Sequence, residues 1–188
     1  MTTNDPRGLF EAALEDADSQ VRRAASAPLD TPTPCSEWDL GALLGHMIGQ
    51  NDGFAAAVRD GDAPLAAYAP PTLASDQVIA RWSDSAERLR AAFRAAPPGR
   101  PLRLAEFDRE VPVEVALGMQ IVDCAVHAWD VATALGGVYR PDQAIVRLVL
   151  ESARMIAARP GGTPGVFAPP REVAGTDPWL DALALLGR

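Results

Sequence analysis

Residues 111–137 read VPVEVALGMQIVDCAVHAWDVATALGG. The stretch is almost wholly apolar, and the glycine pair at 136–137 makes a good C-terminal stop for what is the longest helix expected in the chain. Within it stand Asp123, His127 and Asp130, at intervals of four and three residues. Those intervals bring side chains onto one face of a helix. A helix that turns Asp123 and His127 into an apolar interior must give each a partner, because burying an unpaired carboxylate or imidazole costs several kcal/mol.

Working outward, the same helical period recurs on both sides. A first helix is expected to start near Asp5-Pro6, with proline in its first turn and Leu9, Phe10, Ala13, Leu14, Ala17 and Val21 on one side. Residues 33–51, TPCSEWDLGALLGHMIGQN, offer Ser36 as N-cap with Asp39 three residues on. Leu40, Leu43, Leu44, Met47 and Ile48 then form the apolar side of a second helix reaching to about residue 60. Ser75 and Asp76 open a third, marked by Val78, Ile79, Trp82, Ala86, Leu89 and Phe93 and stopped at Pro97-Pro98-Gly99. Residues 101–107 read as an extended connector or a lone short strand. A fifth helix spans about Pro141 to Ala158, with Ile145, Leu148, Val149, Ser152 and Ile156 inward. The Pro/Gly-rich segment 159–178 is expected to be irregular, pinned by Val166 and Phe167, before a short closing helix in WLDALALLG. The fold class these elements define is all-α, a four-helix bundle with accessories, and residues 1–188 form a single domain.

Composition narrows the partners. The formal charge is −8 and the basic residues are scattered arginines with no lysine, which argues against nucleic acid, whose phosphates need clustered Lys and Arg. No signal peptide is evident and no run approaches the ~18 uninterrupted apolar residues of a membrane span, so a cytoplasmic protein without a membrane partner is expected. Two cysteines, Cys35 and Cys124, are too few for a disulfide framework and read as small buried hydrophobes. Trp38, Trp82, Trp129 and Trp179 read as core or rim packing.

There are only two histidines, His46 and His127, both on bundle helices among apolar neighbours. Bundle cores are where metal sites are built from facing helices. Asp123 with His127 forms a two-ligand clip, and His46 offers a third ligand from across the bundle, leaving coordination positions open. Asp130 is either an outer partner holding the imidazole or a surface residue. Gln50, one turn past His46, is a helix-face polar residue or such an outer partner. The competing reading is that Asp123 and His127 are an ordinary i, i+4 pair.

Three segments carry a resemblance to a known family: TPCSEWDLGALLGHMIGQN, then DCAVHAWDVATALG, then VFAPPREVAGTDPWLDALALLGR. In that order they resemble the N-terminal, metal-binding domain of mycothiol-dependent maleylpyruvate isomerase and its stand-alone relatives, within the DinB-like putative metalloenzyme superfamily. The resemblance implies a DinB-like four-helix bundle with a divalent metal, usually zinc, with nickel or another ion as alternatives. It implies ligation by His46, Asp123 and His127. The isomerase has glutamate at the acid position, so Asp123 departs from the pattern by one methylene. The activity implied is transfer or isomerisation that uses a low-molecular-weight thiol of mycothiol type and an electrophilic small molecule. A metal-dependent hydrolase and a non-catalytic metal- or ligand-binding bundle are the alternatives, and a monomer and a homodimer stay equally open.

Overall fold

In the computed structural model, which describes residues 5–35, 37–159 and 167–188, six helices and one small hairpin account for the regular structure. Helix α1 spans Pro6–Ala24; the Asp5 side chain accepts from the Arg7 amide and proline fills the first turn, as the sequence suggests. Helix α2 spans Leu40–Asp60. Its cap is Asp39, whose carboxylate accepts from the Ala42 amide at 2.8 Å, and it ends on Gly61 at φ 89°, a left-handed stop that favours glycine. Ser36, the expected cap, lies outside the described residues; the helix begins only after Asp39, whose extended backbone bridges Pro32.

Helix α3, Val78–Ala95, follows a single 3₁₀ turn over Ser75–Gln77. Strand β1 (Pro101–Leu104) then pairs antiparallel with β2 (Arg109–Pro112). This corrects two expectations, that 101–107 is a connector or lone strand and that the long helix starts at Val111-Pro112. Those two residues pair with Leu102 and Pro101. Strands of four residues are too short for their period-two pattern, with Leu102, Leu104 and Val111 buried, to stand out against helical neighbours. Helix α4 runs Val113–Ala134, α5 Gln143–Ala157 and α6 Pro178–Leu185.

Packing follows from the apolar faces. Helix α1 lies along α4 and α2 along α3, while α2 with α4 and α1 with α3 close the four-helix ring; α5 leans on α4 and carries α6. The fold is therefore the all-α bundle that the periodicity implies, with the hairpin as an addition. Among the described residues α4 is the one helix long and apolar enough to cross a membrane, yet 72% of that stretch is buried inside the bundle. It is the central core helix. One face of α2 carries Gly45, Gly49 and Gly53, and the chain from Tyr68 to Pro71 lies directly on them; a Cβ on Gly53 would run into the Tyr68 ring. Phe167 is half-buried against the core, while Val166 lies outside the described residues.

Candidate metal centre

The facing of α2 and α4 brings the two histidines together from 81 positions apart in sequence. His46 Nε2 lies 3.6 Å from Asp123 Oδ1, and His127 Nε2 lies 3.5 Å from the same oxygen. The two imidazole rings meet edge to face at 5.0 Å between centroids. One donor atom from each residue falls within 4.8 Å of the other two.

The geometry suits an ion. For metal–ligand bonds of about 2.0–2.2 Å, tetrahedral donors stand roughly 3.4 Å apart, and the two imidazole–carboxylate separations sit just above that. Two nitrogens and one oxygen are donors of the kind that suit a divalent ion, one fewer than a closed tetrahedral structural site uses.

The far edge of His127 meets a second carboxylate. Its Nδ1 is 2.9 Å from Asp130 Oδ2, so Nδ1–H donates to the carboxylate and Nε2 is the nitrogen that faces Asp123. Asp130 is fully buried, and Arg188 answers its charge: Nε donates to Oδ1 at 2.9 Å and Nη2 to Oδ2 at 2.9 Å. Cys35 also donates its thiol to Oδ2, at 3.2 Å. Cys35, His127 and Asp130 thus form a second converging set, but there the cation already present is the Arg188 guanidinium.

The electrostatics of these side chains show how strongly they depend on one another. Burial pushes the Asp123 carboxyl up, but the charges and hydrogen bonds of His127 and His46 outweigh it and hold Asp123 well below the usual carboxylate range. Burial pushes His127 down, while Asp123, and then hydrogen bonds with Asp123, Asp130 and Cys35, raise it well above the ordinary imidazole value. Burial likewise opposes Asp130, which His127 and Arg188 bring below its usual value. With Asp130 already answered by Arg188, Asp123 between the two imidazoles is where further positive charge is favoured.

Around this centre the structure gives each expected residue a place. Asp130 is the outer partner of His127. Gln50 Nε2 donates to Glu106 at 3.0 Å. Cys35 is half-buried and hydrogen-bonded, not merely a hydrophobe, whereas Cys124 is buried with its thiol pushed well up, first by burial and then by Asp123. Trp82 and Trp179 are core residues, but Trp38 lies over His46 at 4.5 Å between centroids and 33° between planes, forming a wall of the site.

Three further polar residues escaped the sequence reading. Arg188 is 58 positions from Asp130, and only the demand of a buried carboxylate for a cation hints at it. Glu106 sits in the 3₁₀ turn between the strands; burial raises its carboxyl, while Gln50 and His46 pull it down and Asp123 raises it. Gln120, two turns before His127 on α4, is 1% exposed with neither amide atom partnered among the described residues.

A helical bundle whose α2 and α4 converge two imidazoles and a carboxylate defines a class of candidate metalloproteins. The chain matches the family described as Mycothiol maleylpyruvate isomerase N-terminal domain over residues 10–132, and it belongs to that family. It is 30% identical, over 186 residues, to the uncharacterized proteins MT0763 and Rv0738 of Mycobacterium tuberculosis, a span of 98% of this chain and 98% of each of those. Its fold is similar to that of mycothiol-dependent maleylpyruvate isomerase, with a TM-score of 0.65, 17% identity, and coverage of 79% of this chain and 68% of that one. A histidine-to-alanine mutant of that isomerase superposes equally, with a TM-score of 0.66 and 18% identity.

Proposed function

We propose that this chain is a metal-dependent enzyme that presents a low-molecular-weight thiol of mycothiol type to an electrophilic small molecule, and that residues 1–188 act as one domain. The observation that carries the reading is the convergence of His46 Nε2, Asp123 Oδ1 and His127 Nε2 around one point. Membership of a mycothiol-linked family supports the thiol. The residues suit a divalent ion of the zinc type, with nickel as a further option, because imidazole with carboxylate is a borderline donor set.

When bound, such an ion lowers the pKa of a coordinated thiol so that thiolate, the nucleophilic form, is present near neutrality. The protein's own part is positional. His46, Asp123 and His127 hold the ion at the seam of α2 and α4. Asp130 keeps the His127 proton on Nδ1, and Arg188 balances Asp130 so that the carboxylate stays ionised without water. Trp38 covers one side of His46 and limits solvent there. Aspartate at position 123 suffices because one oxygen, Oδ1, lies near both imidazoles, 3.6 Å from His46 Nε2 and 3.5 Å from His127 Nε2.

The test is thiol consumption. Protein loaded with zinc or nickel is expected to consume mycothiol with at least one member of a broad electrophile panel. Chelation and His46→Ala should each abolish the reaction. A loaded protein that gives no metal-dependent consumption with any electrophile would overturn the reading.

A further inference from the structure

The two imidazoles of the centre are supported unequally. His127 is 8% exposed at its side chain and its Nδ1 is tied to Asp130. His46 is 24% exposed, and its one polar contact among the described residues is the 3.6 Å approach of Nε2 to Asp123. The torsion that turns a histidine ring has only broad preferences of its own, so a ring with no partner on its second nitrogen takes its direction from packing. The packing of His46 is aromatic. The Trp38 indole lies 4.5 Å from it at 33° between planes, and His127 meets it edge to face at 5.0 Å. Trp38 and His127 are themselves 6.1 Å apart, so the three rings are mutual neighbours.

The indole is itself held in place by the chain on either side of it. Thr33 Oγ1 donates to Trp38 O at 2.7 Å and accepts from the Cys35 amide at 3.1 Å, and the Trp38 amide donates to Cys35 O at 2.8 Å. Cys35 Sγ donates to Asp130 Oδ2 at 3.2 Å, which ties the same turn to α4. In the other direction Trp38 runs straight into Asp39, the cap of α2, whose backbone bridges Pro32. One short turn therefore reaches both histidines, His127 by way of Cys35 and Asp130, and His46 directly through Trp38.

Resting on the metal centre of the preceding reading, we propose that Trp38 is a positioning residue: its indole fixes the plane of the His46 imidazole, so that Nε2 stays directed at the point shared with Asp123 Oδ1 and His127 Nε2. Asp130 performs the same service for His127 by a hydrogen bond. Paired aromatic rings attract beyond the area they bury, by an amount that reaches roughly tenfold in an equilibrium constant. An aliphatic side chain at position 38 fills part of the same space but offers no ring face, and His46 then turns more freely toward solvent. Phenylalanine keeps the face. The loss on removing the indole is therefore a loss of ligand direction, felt through His46 and not through the fold.

The experiment measures metal affinity in the full chain, by competition of zinc with a chromophoric chelator and, in parallel, by the visible ligand-field bands of bound cobalt(II). Trp38→Leu is expected to lose roughly tenfold in zinc affinity and to alter the cobalt bands, while Trp38→Phe returns both most of the way to the parent. Circular dichroism checks that the helices are kept, and Trp38→Met, also apolar and without a ring, stands in should Trp38→Leu lose them. In a His46→Ala background, Trp38→Leu should change affinity by roughly twofold or less, because the ring it orients is gone. Unchanged affinity in Trp38→Leu, equal losses in Trp38→Leu and Trp38→Phe, or the same tenfold loss without His46 would each overturn the role of Trp38 while leaving the centre standing. A parent that binds neither zinc nor cobalt overturns the centre itself, and the role of Trp38 with it.

Discussion

His127 Nδ1 stands 2.9 Å from Asp130 Oδ2, and that carboxylate is completely buried while Arg188 grips its other side. The imidazole is thus oriented by a carboxylate that is itself neutralised within the protein, at the ring nitrogen other than the one that faces Asp123. Partners of this kind set the orientation and basicity of a ligating histidine.

Asp130→Asn keeps the shape of the side chain and removes its charge. Zinc affinity, measured by competition with a chromophoric chelator, is expected to fall about 10- to 100-fold. An unchanged affinity would mean that Asp130 plays no part in holding His127 for the ion.

Arg188→Leu leaves Asp130 buried without its cation. With Arg188 7% and Asp130 0% exposed at their side chains, the expected loss in urea unfolding is about 3–5 kcal/mol. A loss below about 1 kcal/mol would show that His127 and Cys35 suffice to satisfy the carboxylate.

Gln120→Leu removes two buried amide atoms that have no partner among the described residues. Stability is expected to rise by about 1–3 kcal/mol, since an unsatisfied buried polar group costs about that much. A drop in stability would reveal a buried water completing the amide's hydrogen bonds.

Two glycine substitutions should diverge. Gly53→Ala drives a methyl into the Tyr68 ring and should cost about 1–3 kcal/mol as overpacking. Gly118→Ala, within α4 and with nothing near its Cβ position, should gain about 0.5–1 kcal/mol from helix propensity. Equal effects in thermal unfolding would contradict the close seating of the Tyr68 segment on α2.

Acid stability has one separable contributor outside the metal centre. Asp177 caps α6 through the Trp179 amide and takes two hydrogen bonds from Arg140, and these hold its carboxyl down at about 2 from an ordinary 3.8. A carboxyl depressed in the folded state contributes stability that is complete above its unfolded pKa and is lost as pH falls through the folded one. The stability gap between the parent and Asp177→Asn should therefore be constant above pH ~5 and shrink between about pH 4 and 2. A gap independent of pH across that window would contradict the pairing.

The bundle was legible because α1, α3 and α5 carry apolar stripes at the helical period and because Pro6 opens α1 while Gly61 and Gly136 follow the ends of α2 and α4. The hairpin was not, since four-residue strands give too few repeats and their pairing is a contact between segments. The same division holds at the site. His46, Asp123 and His127 could be assembled from helical spacing, rarity and resemblance, and Asp130 from its place one turn beyond His127. Arg188, Glu106 and the stacking of Trp38 on His46 depend on where α6, the hairpin and the loop before α2 dock. No period along the chain encodes those positions.

Elemental analysis of purified, untagged protein beside His127→Ala tests the metal centre most directly, with circular dichroism to establish that the variant keeps its helices. About one equivalent of a divalent metal in the parent and little in the folded variant is the expected result. A parent that is empty as purified, and that takes up no zinc, nickel or manganese when offered in excess, would contradict the centre and the activity proposed from it.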